Sequence, residues 1–298
     1  MSKISVVIPT KNAGGDFPEL LRTIREQEAV PAVEIIVIDS GSTDGTIEIA
    51  EQLADELIEI PPEEFHHGKT RNRGASVATG EIIVFTVQDA YPNSNDWLST
   101  LTRPIVVGDA DVTYGNQVAH KDAKPPDKFF YQYFYPDEQV QISQEDTLDE
   151  GEFYLDNIFL SDVSSAISRE VWDGFQFRDS VSMSEDKDFA YRVAKAGYTL
   201  QYCPEAKVRH SHNYSLRSLF YRRYKDGIAF DDIATSGSDN FLSDGIRYIL
   251  SEYCYLIQSG HLAWVPYSIL YDLTYFVAFT LGKSHERLPA GLHRKLSA

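Results

Sequence analysis

Five groups of side chains in this 298-residue chain have the types and spacing to do chemistry. Asp39 ends the apolar run Ile35-Ile36-Val37-Ile38 and opens the loop Ser40-Gly41-Ser42-Thr43-Asp44-Gly45. A carboxylate at the mouth of a buried strand can accept hydrogen bonds from a ribose or a base, and glycines let backbone approach a ligand. The same loop could instead cap the helix that follows. Phe65-His66-His67-Gly68-Lys69-Thr70-Arg71-Asn72-Arg73-Gly74 collects cations, imidazoles and an amide that suit a diphosphate, or else form a solvated helix start. Asp89, in Gln88-Asp89-Ala90, could hold a hard divalent cation on a phosphate. Ser184-Glu185-Asp186 opens a helix, where one carboxylate can face a cleft as general base and the other cap or stabilise. His210 and His212, two apart in an extended segment, share one face and could complete a metal site with Asp89.

The elements that must position these groups are legible as hydrophobic patterns. Ile4–Ile8, Glu34–Asp39 and Ile82–Phe85 are continuous apolar runs alternating with amphipathic stretches, such as Leu20, Leu21 and Ile24 and the segment 46–55. That alternation predicts a parallel α/β sheet, whose ligands bind beyond the carboxyl ends of the strands. The polar segments that follow Ile4–Ile8, Glu34–Asp39 and Ile82–Phe85 lie at those ends. Residues 105–165 are less regular and include the aromatic run Phe129–Tyr135. They are expected to form a long loop or insertion suited to acceptor or partner binding, or a core-packing aromatic patch under a surface loop. After residue 215 three tyrosine- and phenylalanine-rich helices are expected, Leu216–Phe230, Leu242–Ile257 and Leu262–Leu281. The last has the length of a membrane span, but carries Asp272 and Pro266; it is read as a true span, as part of an interfacial or membrane-facing helix pair, or as an ordinary core helix.

Composition narrows the partners. The net charge of −18 excludes nucleic-acid binding through a broad basic surface, and an anionic membrane would not be held by electrostatics alone. The acid excess suggests a salty cytoplasm. Cys203 and Cys254 are the only cysteines, which excludes a disulfide scaffold or zinc ribbon and favours a reducing compartment. The start Met1-Ser2-Lys3-Ile4 has no secretory pattern, so a cytoplasmic location is expected.

In order and spacing the motifs resemble a family 2 glycosyltransferase. The resemblance is carried by Ser5–Asn12, Ile36–Thr46, Asn72-Arg73-Gly74, Ala78-Thr79-Gly80-Glu81 and Glu185-Asp186. Three further stretches, His67–Asn72, Thr86–Pro92 and Ser161–Ile167, resemble the rhamnosyltransferase-like branch. This implies a GT-A fold, a Rossmann-like mixed sheet, over 1–215, with a C-terminal helical extension over 216–298 that could face a membrane. It implies an inverting transferase that takes a nucleotide-diphosphate sugar donor and a lipid-linked or cell-surface glycan acceptor. Pro9, Thr10 and Asp39 would sit at base and ribose, and Asn72, with Arg71 and Lys69, in the donor pocket beside Gln88. Asp89 would hold Mg²⁺ or Mn²⁺ with His210 or His212, and Asp186 would be the general base, beside Glu185.

The chain departs from the family pattern at the metal motif, where Gln88-Asp89-Ala90 leaves one carboxylate, and at Asp39-Ser40 where two acids are usual. The Gln-x-x-Arg-Trp motif of processive synthases is missing; Phe220-Tyr221-Arg222-Arg223-Tyr224 stands there, implying addition of one sugar and making Arg222 and Arg223 diphosphate candidates. The alternatives are a sugar nucleotidyltransferase on the same fold and an inactive, transferase-like glycan-binding or scaffold subunit.

Overall fold

A computed structural model describes residues 3–154, 160–233 and 241–289, with 291, 293 and 296. The apolar runs form β1 (Ile4–Thr10), β2 (Val33–Asp39), β3 (Glu56–Glu59) and β4 (Ile82–Thr86), all mutually parallel. The sheet continues through β5 (Tyr91–Pro92), β6 (Val112–Val118), β7 (Gln141–Ile142), β8 (Ser164–Ser168) and β9 (Leu200–Arg209). Among the described residues the strand order is β3-β2-β1-β4-β8-β6-β9-β5, with β7 also on β9. Strand β8 runs antiparallel to both β4 and β6, so the sheet is mixed rather than wholly parallel.

The chain divides into two compact units: Met1–Val118, Tyr135–Leu148 and Asn157–His210 form the first, and Ala119–Phe134, Asp149–Asp156 and Ser211–Ala298 the second. The first holds the sheet and helices α1 (Phe17–Arg25), α2 (Thr46–Leu53), α3 (His67–Val77), α4 (Trp97–Val107), α7 (Arg169–Gly174) and α8 (Glu185–Lys195). The second holds α5 (Pro125–Phe134), α6 (Glu150–Glu152), α9 (Leu216–Ile233), α10 (Phe241–Gln258) and α11 (Val265–Lys283).

Strands β1 and β2 are buried on both faces, as their unbroken apolar runs require. Val6, Ile8, Ile35 and Val37 join Phe17, Leu20, Leu21 and Ile24 of α1 in one core. Each such aliphatic side chain stabilises by about 1.5–3 kcal/mol on burial. On the opposite face α3 lies close because Gly74 has no side chain: a Cβ there would fall 2.5 Å from Ile38 Cδ1 and 2.6 Å from Val7 Cγ1.

The irregular middle is more ordered than its sequence suggests. It contributes the end of α4, then β6, α5, β7 and the start of β8, and Phe129–Phe134 is helical rather than looped. Alternation is hidden here because β6 (Val112-Thr113-Tyr114-Gly115-Asn116-Gln117-Val118) buries its polar residues along with its apolar ones. In the second unit, α9 and α11 meet at paired glycines, where a Cβ on Gly227 would fall 3.0 Å from Gly282 Cα.

Candidate active site

The loops at the carboxyl ends of β1, β2 and β4 are laced together. The β1–β2 register pairs Thr10 with Asp39, and the Thr10 hydroxyl donates to Asp39 Oδ2 at 2.9 Å. Asp39 is buried, and its Oδ1 accepts the Gly41 and Ser42 amides at 2.9 and 2.7 Å. Gly41 (φ 84°) and Gly45 (φ 90°) take left-handed conformations in this turn, which glycine adopts without steric cost. Asp44 accepts the Gly14 amide at 3.0 Å, and Asn12 Oδ1 accepts the Thr43 amide at 2.8 Å. Gln88 clamps the Lys11 backbone, accepting its N–H at 2.7 Å and donating to its carbonyl at 3.2 Å. Asp39 and Gln88 therefore shape the loop walls with their own hydrogen bonds.

Beside this lies a carboxylate–imidazole pair. Strand β5 pairs antiparallel with β9, Tyr91 opposite Arg209, which sets Asp89 next to the residue after β9. Asp89 Oδ1 is 3.8 Å from His210 Nε2, with Asp89 about half exposed and His210 buried. The other imidazole nitrogen, His210 Nδ1, is 3.0 Å from Gln117 Oε1. A shift of register between Gly115 and Asn116 lets β9 bulge and brings Gln117 opposite Val208, on the face that His210 shares. One carboxylate oxygen and one imidazole nitrogen at this separation fit a shared divalent cation, and the mixed O/N set suits Mn²⁺ better than the oxygen-preferring Mg²⁺. His212 stands two residues on, at the start of the second unit.

A buried charge cluster forms at the start of α8. Ser184 turns the chain there in a left-handed conformation (φ 62°), unusual for a residue with a side chain. Arg71 of α3 donates from Nη1 to Glu185 Oε1 at 2.7 Å, and its Nε lies 3.3 Å from Asp162 Oδ2. Asp186 accepts the Lys187 amide at 2.9 Å and the Asp162 amide at 3.4 Å. One guanidinium thus faces three carboxyl groups. Burial, and then the neighbouring acids against the pull of Arg71, leaves the Asp162 carboxyl at about 8. Burial followed by the charge of Glu185 also raises Asp186, making it a stronger base than an exposed aspartate.

The other residues expected at the donor have partners of their own within the protein. Arg71 is buried, hydrogen-bonded to Glu185 at 2.7 Å and 3.3 Å from Asp162. Asn72 binds the Phe177 backbone, donating to its carbonyl at 2.8 Å and accepting its amide at 3.1 Å. Lys69 is exposed, 3.8 Å from Asp179. Pro9 pairs with Ile38 inside the sheet. Arg222 and Arg223 belong to the second unit, where both pair with Asp226, at 3.2 and 2.8 Å, and Arg223 lies over the Tyr275 ring. Gln117 and Asp162 have no singled-out role in the sequence reading.

Residues 5–173 match the family model "Glycosyl transferase family 2", and residues 156–284 match "Glycosyl transferase family group 2". The O-antigen chain rhamnosyltransferase RfbN of Salmonella typhimurium is 31% identical over 99% of this chain and 94% of its own. WbaN of Salmonella anatum, with the same description, is 31% identical over 100% of this chain and 94% of its own. Among solved structures, the mannosyltransferase PcManGT of Pyrobaculum calidifontis, in complex with GDP-Man and Mn²⁺, has a TM-score of 0.59 at 18% identity, covering 94% of this chain and 87% of that one. The likeness places the mixed sheet in the GT-A fold. The chain is a glycosyltransferase that uses a nucleotide-sugar donor, and it belongs to glycosyl transferase family 2, with a rhamnosyltransferase-like sequence.

Proposed function

We propose that this enzyme transfers one sugar, rhamnose first among the donors to test, to a hydroxyl of a lipid-linked or cell-surface glycan with inversion at the anomeric carbon. The observation that carries this reading is the end-to-end similarity to the two O-antigen chain rhamnosyltransferases, joined to the partly exposed Asp186 beside a buried acid cluster. Asp186 takes the proton from the acceptor hydroxyl as that oxygen attacks, and burial keeps its affinity for the proton high. Arg71, Asp162 and Glu185 hold it in place. Asp89 and His210 are the residues that would hold Mn²⁺ or Mg²⁺. A bound divalent ion would neutralise the charge of the diphosphate leaving group. The 11–15 and 40–45 loops would receive the nucleotide.

The exposed faces of α10 and α11 support peripheral contact with the inner face of the cell membrane. In α11 the polar Ser268 is buried, while Ile269, Leu270, Leu273, Phe276 and Val277 are exposed. Segment Leu262–Lys283 is long and apolar enough to cross a membrane, with mean hydropathy 1.2. Its polar residues instead bond within the unit, Asp272 to the Tyr253 hydroxyl at 3.1 Å and Ser268 to Glu252 at 2.5 Å, which suits a helix lying on a lipid surface.

A donor screen by nucleoside diphosphate release, with Mn²⁺ and with EDTA, tests the function. Release from one preferred donor that depends on the metal is expected. Absence of release from every donor, or release unaffected by EDTA, would contradict the reading.

A further inference from the structure

Gln117 lies in β6, buried, next to the buried polar Asn116. Its Oε1 is 3.0 Å from His210 Nδ1, and its Nε2 donates to the Tyr135 hydroxyl at 2.6 Å. Tyr135 Oη, Gln117 and His210 thus form a relay that ends at Asp89, 3.8 Å from His210 Nε2. A neutral imidazole has one N–H and one lone pair. An amide oxygen at Nδ1 fixes the N–H there and leaves the lone pair on Nε2, the nitrogen that faces Asp89. The opposite tautomer would turn an N–H toward Asp89 and present no lone pair to a cation.

We propose that Gln117 is a positioning residue that sets the tautomer and ring orientation of His210, so that Nε2 can ligate a divalent cation together with Asp89. Gln117 does not touch the ion. The assignment rests on the reading of Asp89 and His210 as metal ligands. Metal-bound histidines commonly donate the second ring N–H to such a partner, and losing the partner costs about 10–100-fold in metal affinity or activity. The amide does here what a carboxylate does in many sites. It leaves the pair with a single negative charge, supplied by Asp89.

The test is titration of the full chain with Mn²⁺ alone, reading the free ion by electron paramagnetic resonance and the fold by thermal melting in EDTA. The wild type is expected to bind Mn²⁺ and Asp89→Asn to lose binding. Gln117→Leu should weaken Mn²⁺ binding about 10–100-fold. Gln117→Glu should restore it, because its carboxylate accepts the same Nδ1–H. Gln117→Leu binding as tightly as wild type, or Gln117→Glu losing as much as Gln117→Leu, would overturn the assignment. If Gln117→Leu loses its cooperative melt, Gln117→Asn, whose shorter side chain falls away from Nδ1, takes its place, and unchanged affinity there overturns it equally. A wild type that binds no Mn²⁺ would instead overturn the metal site, and the Gln117 assignment with it, while nucleoside diphosphate release would still report on transfer.

Discussion

Arg71 and Glu185, 114 residues apart in sequence, meet in a buried hydrogen-bonded ion pair of 2.7 Å. Through it α3, which carries the basic motif, is tied to the first turn of α8, which carries Asp186. Asp162 completes the cluster 3.3 Å from the Arg71 Nε.

Replacing Arg71 by methionine would strand two buried carboxyls. Breaking a buried pair from one side costs about 3–5 kcal/mol, and urea unfolding should show a loss of that order. Wild-type stability together with weakened donor binding would instead put Arg71 at the diphosphate.

Gly74 sets the distance between α3 and the sheet. Gly74→Val would drive a side chain into Ile38 and Val7, with an expected loss of about 1–3 kcal/mol from overpacking. An unchanged thermal midpoint would show that the helix has room to move.

Much of the site could be read from local sequence, and the residues show why the rest could not. Asp39 and Asp89 stand at or just past the ends of apolar strands and Asp186 at a helix start, positions that local sequence shows, while their expected roles come from the family resemblance. The roles of Arg71 and Asn72 depend on partners far along the chain, Glu185 and Asp162 for one and the Phe177 backbone for the other. Local sequence therefore does not reveal that part of the basic cluster also ties α3 to distant segments. Gln117 was illegible for a different reason: its approach to His210 follows from the register shift in β9. The mixed sheet follows from β8, whose short run Ser164-Ser165-Ala166-Ile167-Ser168 carries no directional signal.

Buried carboxyls make stability depend on pH in a defined direction. Burial, and then the charge of Asp272, pushes Glu252 from 4.5 up to about 8, and burial first of all pushes Asp272 from 3.8 to about 6. The folded state holds more protons than the unfolded chain between those limits, so this contribution is full below about pH 4 and is lost as pH rises through 6 to 8. Glu252→Gln should flatten the decline between pH 6 and 8 in urea titrations, leaving the slope due to Asp162. An identical slope in the variant would contradict the assignment.

Glu34 acts in the opposite sense. Burial would raise its pKa, but the Ser5 hydroxyl at 2.5 Å and the Thr79 amide at 2.8 Å, with the Thr79 hydroxyl and Lys3, outweigh it and hold it at about 2. Its contribution is present above pH 4.5 and is lost as pH falls toward 2. Glu34→Gln should lower stability at pH 7 and remove that part of the acid-side decline. Equal stability of variant and wild type at pH 7 would contradict this.

Membrane contact through α11 is testable without catalysis. Leu270→Glu with Leu273→Glu should abolish cosedimentation of the full chain with lipid vesicles, because both side chains are exposed and bear on no core. Retained cosedimentation would exclude this face.

The central claim is that sugar transfer uses Asp186 as its base. The most direct measurement compares wild type and Asp186→Asn in acceptor-dependent nucleoside diphosphate release, alongside donor binding. General-base removal costs about 10²–10⁴-fold, so turnover should fall by that much while donor affinity stays near wild type. Turnover retained in Asp186→Asn would contradict the account.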